Sequence, residues 1–257
     1  MPRALTPLDW LTTGATVSGV FGALFSYDLA QRVAIRFGTH SHQRAVSGMA
    51  RAINRATRFS GTTFRCEGLE HVDFAQNYIV VSNHQSLLDI AMTSEFLAPL
   101  EPRYVSKREL ARGVPGVSYN LTRGGSALID RKDPAQAHAE IERIAKHVRD
   151  DHWTVTIFPE GTRSKTGAMK PFRAAGLRTL IANAPGVPVL PVTTSGGSRY
   201  FVHDMKPLVR NVELVYRIHP AVMPPSTEDS TVFDAFVKQL EETIREGLEP
   251  ADREVSS

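Results

Sequence analysis

The sequence has 257 residues, with 30 Lys and Arg against 27 Asp and Glu, which suits one large domain or a domain with a small appendage. Hydrophobic residues make up 42% and charged residues 22% of the chain, and these proportions exclude a disordered or fibrous protein. The only cysteine is Cys66, so intramolecular disulfides and cysteine-built zinc or iron–sulfur sites are excluded.

Positive charge is concentrated in the first 60 residues, which carry seven arginines and two aspartates, a net charge of +5. A basic arm of this kind indicates an anionic partner, either a nucleic acid or a membrane surface. The uncharged run 10–27 favours the membrane. Only ten of its 18 residues are apolar, whereas a spanning helix needs about 20 predominantly apolar residues. We therefore expect shallow burial in a lipid surface rather than a crossing.

The segment 40–59 has the pattern of a basic amphipathic helix, with apolar residues at helical spacing and arginines on the opposing side. The apolar positions are Val46, Met49, Ile53 and Ala56, and the basic ones are Arg44, Arg51, Arg55 and Arg58. This pattern is typical of a helix lying in a lipid interface; the alternative is a helical pair packed on the body of the protein. We predict that residues 1–60 form a membrane-interface segment that holds the protein at the cytoplasmic face of the cell membrane. Its partner would be an anionic lipid surface and not a nucleic acid.

From about residue 62, strand patterns alternate with helix patterns. The predicted strands are 78–82, 103–106, 127–129, 154–158, 187–192 and 212–218. The predicted helices are 134–150, with Ile141, Ile144 and Val148 inward, and 231–248, with Phe233, Phe236, Val237, Leu240 and Ile244 inward. This alternation predicts an α/β domain over 61–248, with a mostly parallel central sheet flanked by helices. Residues 249–257 are expected to form a flexible tail.

A polar motif, Asn83-His84-Gln85-Ser86-Leu87-Leu88-Asp89, follows the strand 78–82 directly. Of the nine histidines, only His84 has an acidic residue five positions later. If a helix begins near Ser86, the Asp89 carboxylate can bond one imidazole nitrogen and leave the other as a general base. The nucleophile would then belong to the substrate. Taken alone, the motif also fits a helix N-terminus beside a surface histidine.

A second motif, Pro159-Glu160-Gly161-Thr162-Arg163-Ser164, follows the strand 154–158. Arginine is suited to bidentate binding of phosphate, and Lys107 and Arg131 stand at further loop-like positions. Singly, each of these cations fits a solvated surface charge; together they could form a phosphate-binding rim around the histidine. The phosphate-loop, dinucleotide-turn, zinc-protease and serine-hydrolase motifs are absent from the sequence, which disfavours nucleotide-dependent enzymes and serine hydrolases.

Together these motifs resemble the glycerolipid acyltransferase family, of the 1-acylglycerol-3-phosphate acyltransferase type. The first block is Asn83-His84-Gln85-Ser86-x-x-Asp89, and the third is Phe158-Pro-Glu-Gly-Thr-Arg-Ser164. The second is looser, with Lys107-x-Glu109-Leu110, Pro115-Gly116, Gly124-Gly125 and Ile129-Asp130-Arg131, and the fourth is Val187-Pro-Val-x-Pro-Val192. The second block lacks the aromatic-flanked Pro-x-x-Gly pattern that is common in the family.

The resemblance implies transfer of a fatty acyl group from acyl-CoA or acyl carrier protein to the free hydroxyl of 1-acyl-sn-glycerol 3-phosphate. The product would be phosphatidic acid for phospholipid synthesis, and neither a cofactor nor a metal is expected. His84 would be the base and Asp89 its orienting partner, with oxyanion donors expected among the main-chain N–H groups at the start of the following helix. The residues expected to bind substrate are Asn83, Ser86, Lys107, Arg131, Glu160, Gly161, Thr162 and Arg163.

Three alternatives remain open at this point. The same chemistry could act on another acceptor, such as an amino-lipid, a glycolipid sugar or glycerol 3-phosphate. The histidine and aspartate could instead serve a thioesterase that uses water. The third alternative is a lipid-binding protein without enzymatic activity.

Overall fold

The computed structural model describes residues 5–164, 166–203 and 206–256, so Arg3 and the last residue of the expected tail lie outside it. The helices are α1 (Pro7–Ala34), α2 (Thr39–Thr57), α3 (Leu88–Phe96), α4 (Val117–Arg123), α5 (Pro134–Asp150), α6 (Ala174–Asn183), α7 (Gly197–Tyr200), α8 (Ser230–Glu246) and α9 (Pro250–Ser256). The strands are β1 (Thr63–Glu67), β2 (Ile79–Ser82), β3 (Arg103–Lys107), β4 (Ala127–Ile129), β5 (Val155–Ile157), β6 (Val189–Ser195) and β7 (Glu213–Ile218).

The strands of the described residues form one sheet in the order β1-β7-β6-β2-β5-β3-β4. The pairs from β6 through β2, β5 and β3 to β4 are parallel, and β7 joins β6 in the antiparallel sense. The predicted mostly parallel sheet is therefore confirmed. Because parallel strands end at the same edge, the residues that follow β2, β5, β3 and β4 meet there. These are the residues of the first three sequence blocks.

The core lies on both faces of the sheet. On one face, α5, α6 and α8 bury Ile144, Leu177 and Phe233 completely. On the other, α3 buries Met92 against Tyr216 and its neighbours. All eight apolar positions predicted to face inward from α5 and α8 are buried. The two helices also begin where an aspartate caps them, since Asp133 accepts from Gln136 N and Asp229 from Thr231 N.

The outer edge of β4 is covered by side chains of α5. Gln136 bonds the main chain of Asp130 at 2.7 Å and of Leu128 at 2.9 Å, and Arg143 bonds the carbonyl of Ser126 at 2.9 Å. These side chains take the place of a neighbouring strand. The free edge of β4 is therefore blocked from pairing with another strand.

The N-terminal helices α1 and α2 are docked on this body. In α2 the apolar stripe predicted for a lipid interface is turned inward, and Val46 and Met49 are buried. The Gly116 N–H donates to Asp28 Oδ1 at 2.8 Å, and the Leu208 N–H donates to Thr13 Oγ1 at 3.0 Å. The expectation that α2 offers its apolar side to lipid is therefore wrong, because that side completes a protein core.

Most exposed large apolar side chains of the N-terminal segment lie on α1 or beside it instead. They are Leu5, Leu8, Trp10, Leu11, Phe21, Phe25, Leu29, Val33 and Phe37, and Phe59 is exposed just after α2. Arg44 and Arg55 are exposed on α2, and Arg58 is exposed directly after it. Among the described residues, no helix combines the length and the apolarity that a bilayer crossing requires.

The C-terminal residues also differ from the expected flexible tail. Residues Pro250–Ser256 form α9, and within it Asp252 is only 1% exposed. The Asp252 carboxylate accepts a hydrogen bond from the Gly196 N–H at 2.7 Å. A short, polar helix gives little apolar pattern to detect, and polar contacts such as that of Asp252 and the bond from Arg253 to the Leu248 carbonyl hold it in place.

Candidate active site

The first block places a histidine and an aspartate in direct contact at the carboxyl edge of the sheet. His84 follows β2, and its Nδ1 lies 2.8 Å from Asp89 Oδ2 in the first turn of α3. Asp89 is completely buried. The described residues provide no recorded partner for Nε2 of His84. In the neutral tautomer whose Nδ1–H donates to the carboxylate, Nε2 has a free lone pair that can accept a proton from a substrate.

The Asp89 carboxylate also organises the main chain around it. Its Oδ2 accepts from the N–H groups of Gln85 at 2.7 Å and Ser86 at 2.8 Å, while its Oδ1 accepts from Ser86 Oγ at 3.1 Å. The His84 N–H donates to Glu160. These three N–H groups precede α3 and are occupied by carboxylates, and the Leu88 N–H at the start of α3 donates to Ser86 Oγ at 3.1 Å. The expectation that main-chain N–H groups at the start of this helix donate to the oxyanion stays a prediction.

The third block holds the histidine from the other side. The Phe158 ring stacks on the imidazole of His84, with 4.2 Å between centroids. Glu160 Oε1 accepts from the His84 N–H at 2.6 Å, and Oε2 accepts from the Lys170 N–H at 2.9 Å. The Ser164 N–H donates to the carbonyl of His84 at 2.9 Å. The imidazole is thus fixed by stacking and by its own main chain.

Glu160 is only 2% exposed. Burial raises the pKa of its carboxyl to about 7, although the two main-chain donors act in the opposite direction; the nearby Asp89 adds to the rise. The sequence suggested that Glu160 binds substrate. The structure instead has both carboxylate oxygens engaged with the protein main chain.

Two further predicted substrate ligands are also engaged inside the protein. Asn83 is buried, and both ends of its side-chain amide bond the main chain of Thr194. Nδ2 donates to the Thr194 carbonyl at 2.9 Å, and Oδ1 accepts from the Thr194 N–H at 2.7 Å. Ser86 is buried and bonds Asp89. Their positions link β2 to β6 and fix the carboxylate. The structure therefore gives them a part in shaping the loop.

The predicted cations gather at the same edge of the sheet as His84. Lys107 is exposed at the end of β3 and lies in register with Ile129 of β4, two residues before Arg131. Arg163 is exposed after β5. Neither Lys107, Arg131 nor Arg163 has an ion-pair partner among the residues that the structure describes. Cations that are not engaged in ion pairs are available to bind an anion.

Arg173 belongs to this group and was missed by the sequence analysis. Its N–H donates to the carbonyl of Pro159 at 3.1 Å, and its guanidinium lies next to Gly161, 3.9 Å from where a Cβ would stand. Partial burial lowers the pKa of Arg131, the charge of Arg173 lowers it further, and the nearby Glu109 acts in the opposite direction. Arg173 stands nine residues beyond the end of the motif, so only the folded chain brings it to the site.

Gly161 and Thr162 shape the turn between these cations. Gly161 has φ of +74°, a left-handed conformation that glycine adopts without strain, and its N–H donates to the carbonyl of Phe158 at 2.9 Å. Thr162 Oγ1 accepts from Lys170 Nζ at 3.1 Å. These bonds fix the conformation of the turn, which lies at the carboxyl edge of the sheet.

A cleft of about 640 Å³ opens beside the edge strand β4. Arg108, Arg112 and Asp130 are among its lining residues, and it includes neither His84 nor Asp89. The cleft borders the second block, so the polar surface around Lys107 continues along the outside of the sheet.

Comparisons with known proteins agree with this geometry. The family model described as Acyltransferase matches residues 63–195. The mouse 1-acyl-sn-glycerol-3-phosphate acyltransferase alpha is 31% identical over 77% of this chain and 66% of its own length. The 1-acyl-sn-glycerol-3-phosphate acyltransferase of Salmonella typhimurium is 33% identical over 48% of this chain and 50% of its own. The chain thus spans just under two thirds of the mouse relative and half of the bacterial one.

One solved structure is similar over nearly the whole chain. The crystal structure of the 1-acyl-sn-glycerophosphate acyltransferase PlsC from Thermotoga maritima superimposes with a TM-score of 0.72. It covers 93% of this chain and 94% of its own, at 24% identity. At this identity the likeness establishes the fold.

Proposed function

The chain belongs to the acyltransferase family, and on that premise we propose that it moves a fatty acyl group from acyl-CoA or acyl carrier protein to the free hydroxyl of 1-acyl-sn-glycerol 3-phosphate. The product is phosphatidic acid for phospholipid synthesis. The names of the mouse and bacterial relatives support this acceptor. The observation that carries the proposal is the 2.8 Å contact between His84 Nδ1 and Asp89 at the carboxyl edge of the sheet.

The reaction uses Nε2 of His84 as the general base. The acceptor hydroxyl gives its proton to Nε2 as its oxygen attacks the thioester carbonyl, forming a C–O bond. The C–S bond then breaks, and the departing thiolate takes the proton from the imidazolium. Asp89 holds the tautomer and stabilises the imidazolium charge. The thioester is already activated, so the proposal includes no cofactor.

The acceptor phosphate is held by the cations at the edge of the sheet. Arg163 provides a planar pair of donors for phosphate oxygens, and Lys107 and Arg131 add charge from the second block. Their exposure, and the absence of an ion pair to any of them among the described residues, support this role. Arg173 extends the same surface next to Gly161.

The lipid acceptor also requires contact with a membrane, at its cytoplasmic face where the soluble thioester donors are met. We assign this contact to the exposed apolar side chains of α1. Phe25 is 61% exposed and Leu29 66% exposed, an arrangement that suits shallow burial in a lipid surface. The exposed arginines of α2 would lie near anionic headgroups.

The experiment that tests the activity supplies radiolabelled acyl-CoA with and without 1-acyl-sn-glycerol 3-phosphate. We expect labelled phosphatidic acid only when the acceptor is present. Release of free fatty acid without acyl transfer would indicate a thioesterase. Absence of turnover with acyl-CoA, and with acyl carrier protein as donor in a second assay, would indicate a lipid-binding protein. Replacement of the acceptor by glycerol 3-phosphate, an amino-lipid or a glycolipid distinguishes the remaining acceptors.

A further inference from the structure

The C-terminal helix α9 lies outside the segment matched by the family model, yet it carries a buried carboxylate close to the site. Asp252 is 1% exposed, and its Oδ2 accepts from the Gly196 N–H at 2.7 Å. Arg199 Nε lies 3.5 Å from Oδ1 of the same carboxylate. Burial of a carboxylate is costly unless donors compensate for the lost water. Asp252 is therefore tied to a defined position.

The residue that Asp252 binds stands between β6 and α7. Gly196 has φ of +88°, and a Cβ on it would clash with the carbonyl of Glu213. The turn can consequently be made only by glycine in this packing. Since β6 is the neighbour of β2 in the sheet, α7 begins beside the loop that carries His84.

Helix α7 is packed directly against that loop. A Cβ on Gly197 would lie 2.6 Å from Ser86 Oγ, so the backbone of α7 and the Ser86 side chain are in close contact. Ser86 Oγ in turn donates to Asp89 Oδ1 at 3.1 Å. The Leu88 N–H also donates to Ser86 Oγ. A shift of α7 away from β2 would remove the packing that presses the Ser86 side chain toward the catalytic carboxylate.

A second contact of α7 reaches the third block. A Cβ on Gly167 would lie 2.7 Å from Ser198 Oγ, and the Gly167 N–H donates to Ser164 Oγ at 2.9 Å. Ser164 donates its N–H to the carbonyl of His84. The two loops that fix His84, which contain Ser86 and Ser164, thus both pack against α7.

We propose that Asp252 is a positioning residue, which holds α7 against Ser86 and so fixes the Asp89 carboxylate on His84. The inference rests on the proposed function, and it makes α9 part of the active-site framework. Asp252 does not contact substrate. Its effect is on the geometry of the base, where a misplacement of about 1 Å can cost on the order of 10²-fold in rate.

The test measures kcat and KM for both substrates in the full-length protein. Asp252→Ala should lower kcat by about 10- to 100-fold with little change in either KM, because the substrate-binding cations are untouched. Asp252→Asn retains an oxygen that accepts from Gly196 and should recover most of the turnover. Asp234→Ala, which removes an exposed aspartate of α8 paired with Arg178, is the matched control and should behave as wild type.

A double-mutant cycle with Ser86→Ala identifies the route. If Asp252 acts through Ser86, the loss in the double variant should be smaller than the product of the two single losses. If the loss in kcat of the double variant equals the product of the two single losses, the inference is overturned. A folded Asp252→Ala protein with wild-type kcat would also overturn it. The same holds for an Asp252→Asn protein as impaired as the alanine variant. Should the alanine variant not fold, Asp252→Glu carries the test: its displaced carboxylate should lower kcat, and wild-type kcat would overturn the inference. A wild-type protein without acyl transfer would instead refute the proposed function.

Discussion

The Glu160 carboxylate accepts a hydrogen bond from the main-chain N–H of His84 at 2.6 Å. This bond joins the first and third sequence blocks, which are 76 residues apart. It fixes the backbone of the proposed base from the next strand of the sheet. The role is one of support, and it gives Glu160 a measurable signature, because a buried carboxyl whose pKa is shifted makes stability depend on pH.

We expect Glu160 to make the protein less stable as the pH rises from about 4.5 to about 7. Its pKa is raised from 4.5 to about 7, so in this window the folded state holds a proton that the unfolded state has lost. The contribution to the free energy of unfolding is greatest below about 4.5 and is lost as the pH passes 7, a change of roughly 3 kcal/mol.

Denaturant unfolding of Glu160→Gln at pH 5, 6, 7 and 8 checks this, because glutamine does not titrate. The variant should show a smaller fall in the free energy of unfolding than wild type. Identical curves for wild type and Glu160→Gln would contradict the prediction.

His84→Ala should abolish nearly all acyl transfer while the protein stays folded, because the position is in a loop at the end of a strand. The expected loss is about 10²- to 10⁴-fold, the usual contribution of a general base. Asp89→Asn should also be severe, since the wrong imidazole tautomer is then favoured. Phosphatidic acid formation and circular dichroism are the two measurements.

The chain offers a matched control for this pair. His147 Nδ1 lies 2.6 Å from Asp151 Oδ2 in an exposed pair at the end of α5. His147→Ala removes an equivalent histidine–aspartate contact far from the blocks and should retain wild-type turnover. A folded His84→Ala protein with full activity would end the mechanism.

Arg163→Ala should raise KM for the phosphate-bearing acceptor and leave KM for the acyl donor unchanged. The expected rise is about tenfold or more, because a hydrogen bond to a charged group contributes about 1.5–3 kcal/mol. Arg163→Lys should restore part of the affinity, since a point charge does not reproduce the guanidinium fork. Arg149→Ala, an exposed arginine paired with Asp150, is the control. A rise confined to the donor KM would show that the assigned role is wrong.

Arg173→Ala should also weaken acceptor binding, although it lies outside the recognised motifs. Its guanidinium stands beside Gly161, and its main-chain bond to Pro159 does not depend on the side chain. Steady-state kinetics with varied acceptor would show a raised KM and a nearly unchanged kcat. An unchanged acceptor KM would remove Arg173 from the phosphate surface.

The sequence predicted the parallel strands and helices α5 and α8 because buried strands and long amphipathic helices have clear periodicity. Strand β1 escaped detection because Arg65 and Glu67 interrupt its apolar pattern. The contact between His84 and Asp89 was predictable from local spacing. By contrast, the Glu160 bond to His84 and the position of Arg173 depend on how distant segments meet, which no local pattern encodes.

The apolar side of α1 should determine membrane binding. Each large apolar side chain contributes up to about 1.5–3 kcal/mol when it is fully buried, so the double substitution Phe25→Ser and Leu29→Ser should strongly reduce flotation with anionic vesicles. Activity should fall more on vesicles than on detergent-dispersed acceptor, because the site itself is unchanged. Val232→Ser with Met223→Ser removes exposed apolar side chains from elsewhere on the body and should float as wild type does.

Salt distinguishes the apolar contribution from that of the arginines on α2. Each arginine near an anionic surface contributes about 1 kcal/mol, and salt screens this attraction. Flotation of the wild-type protein should therefore weaken with rising salt but persist, because burial of the α1 side chains does not depend on charge. Complete release of the wild-type protein from the vesicles by high salt alone would show that the apolar side chains of α1 do not contribute to binding. Equal flotation of the wild type and the Phe25 and Leu29 double variant would likewise exclude this face as the membrane contact.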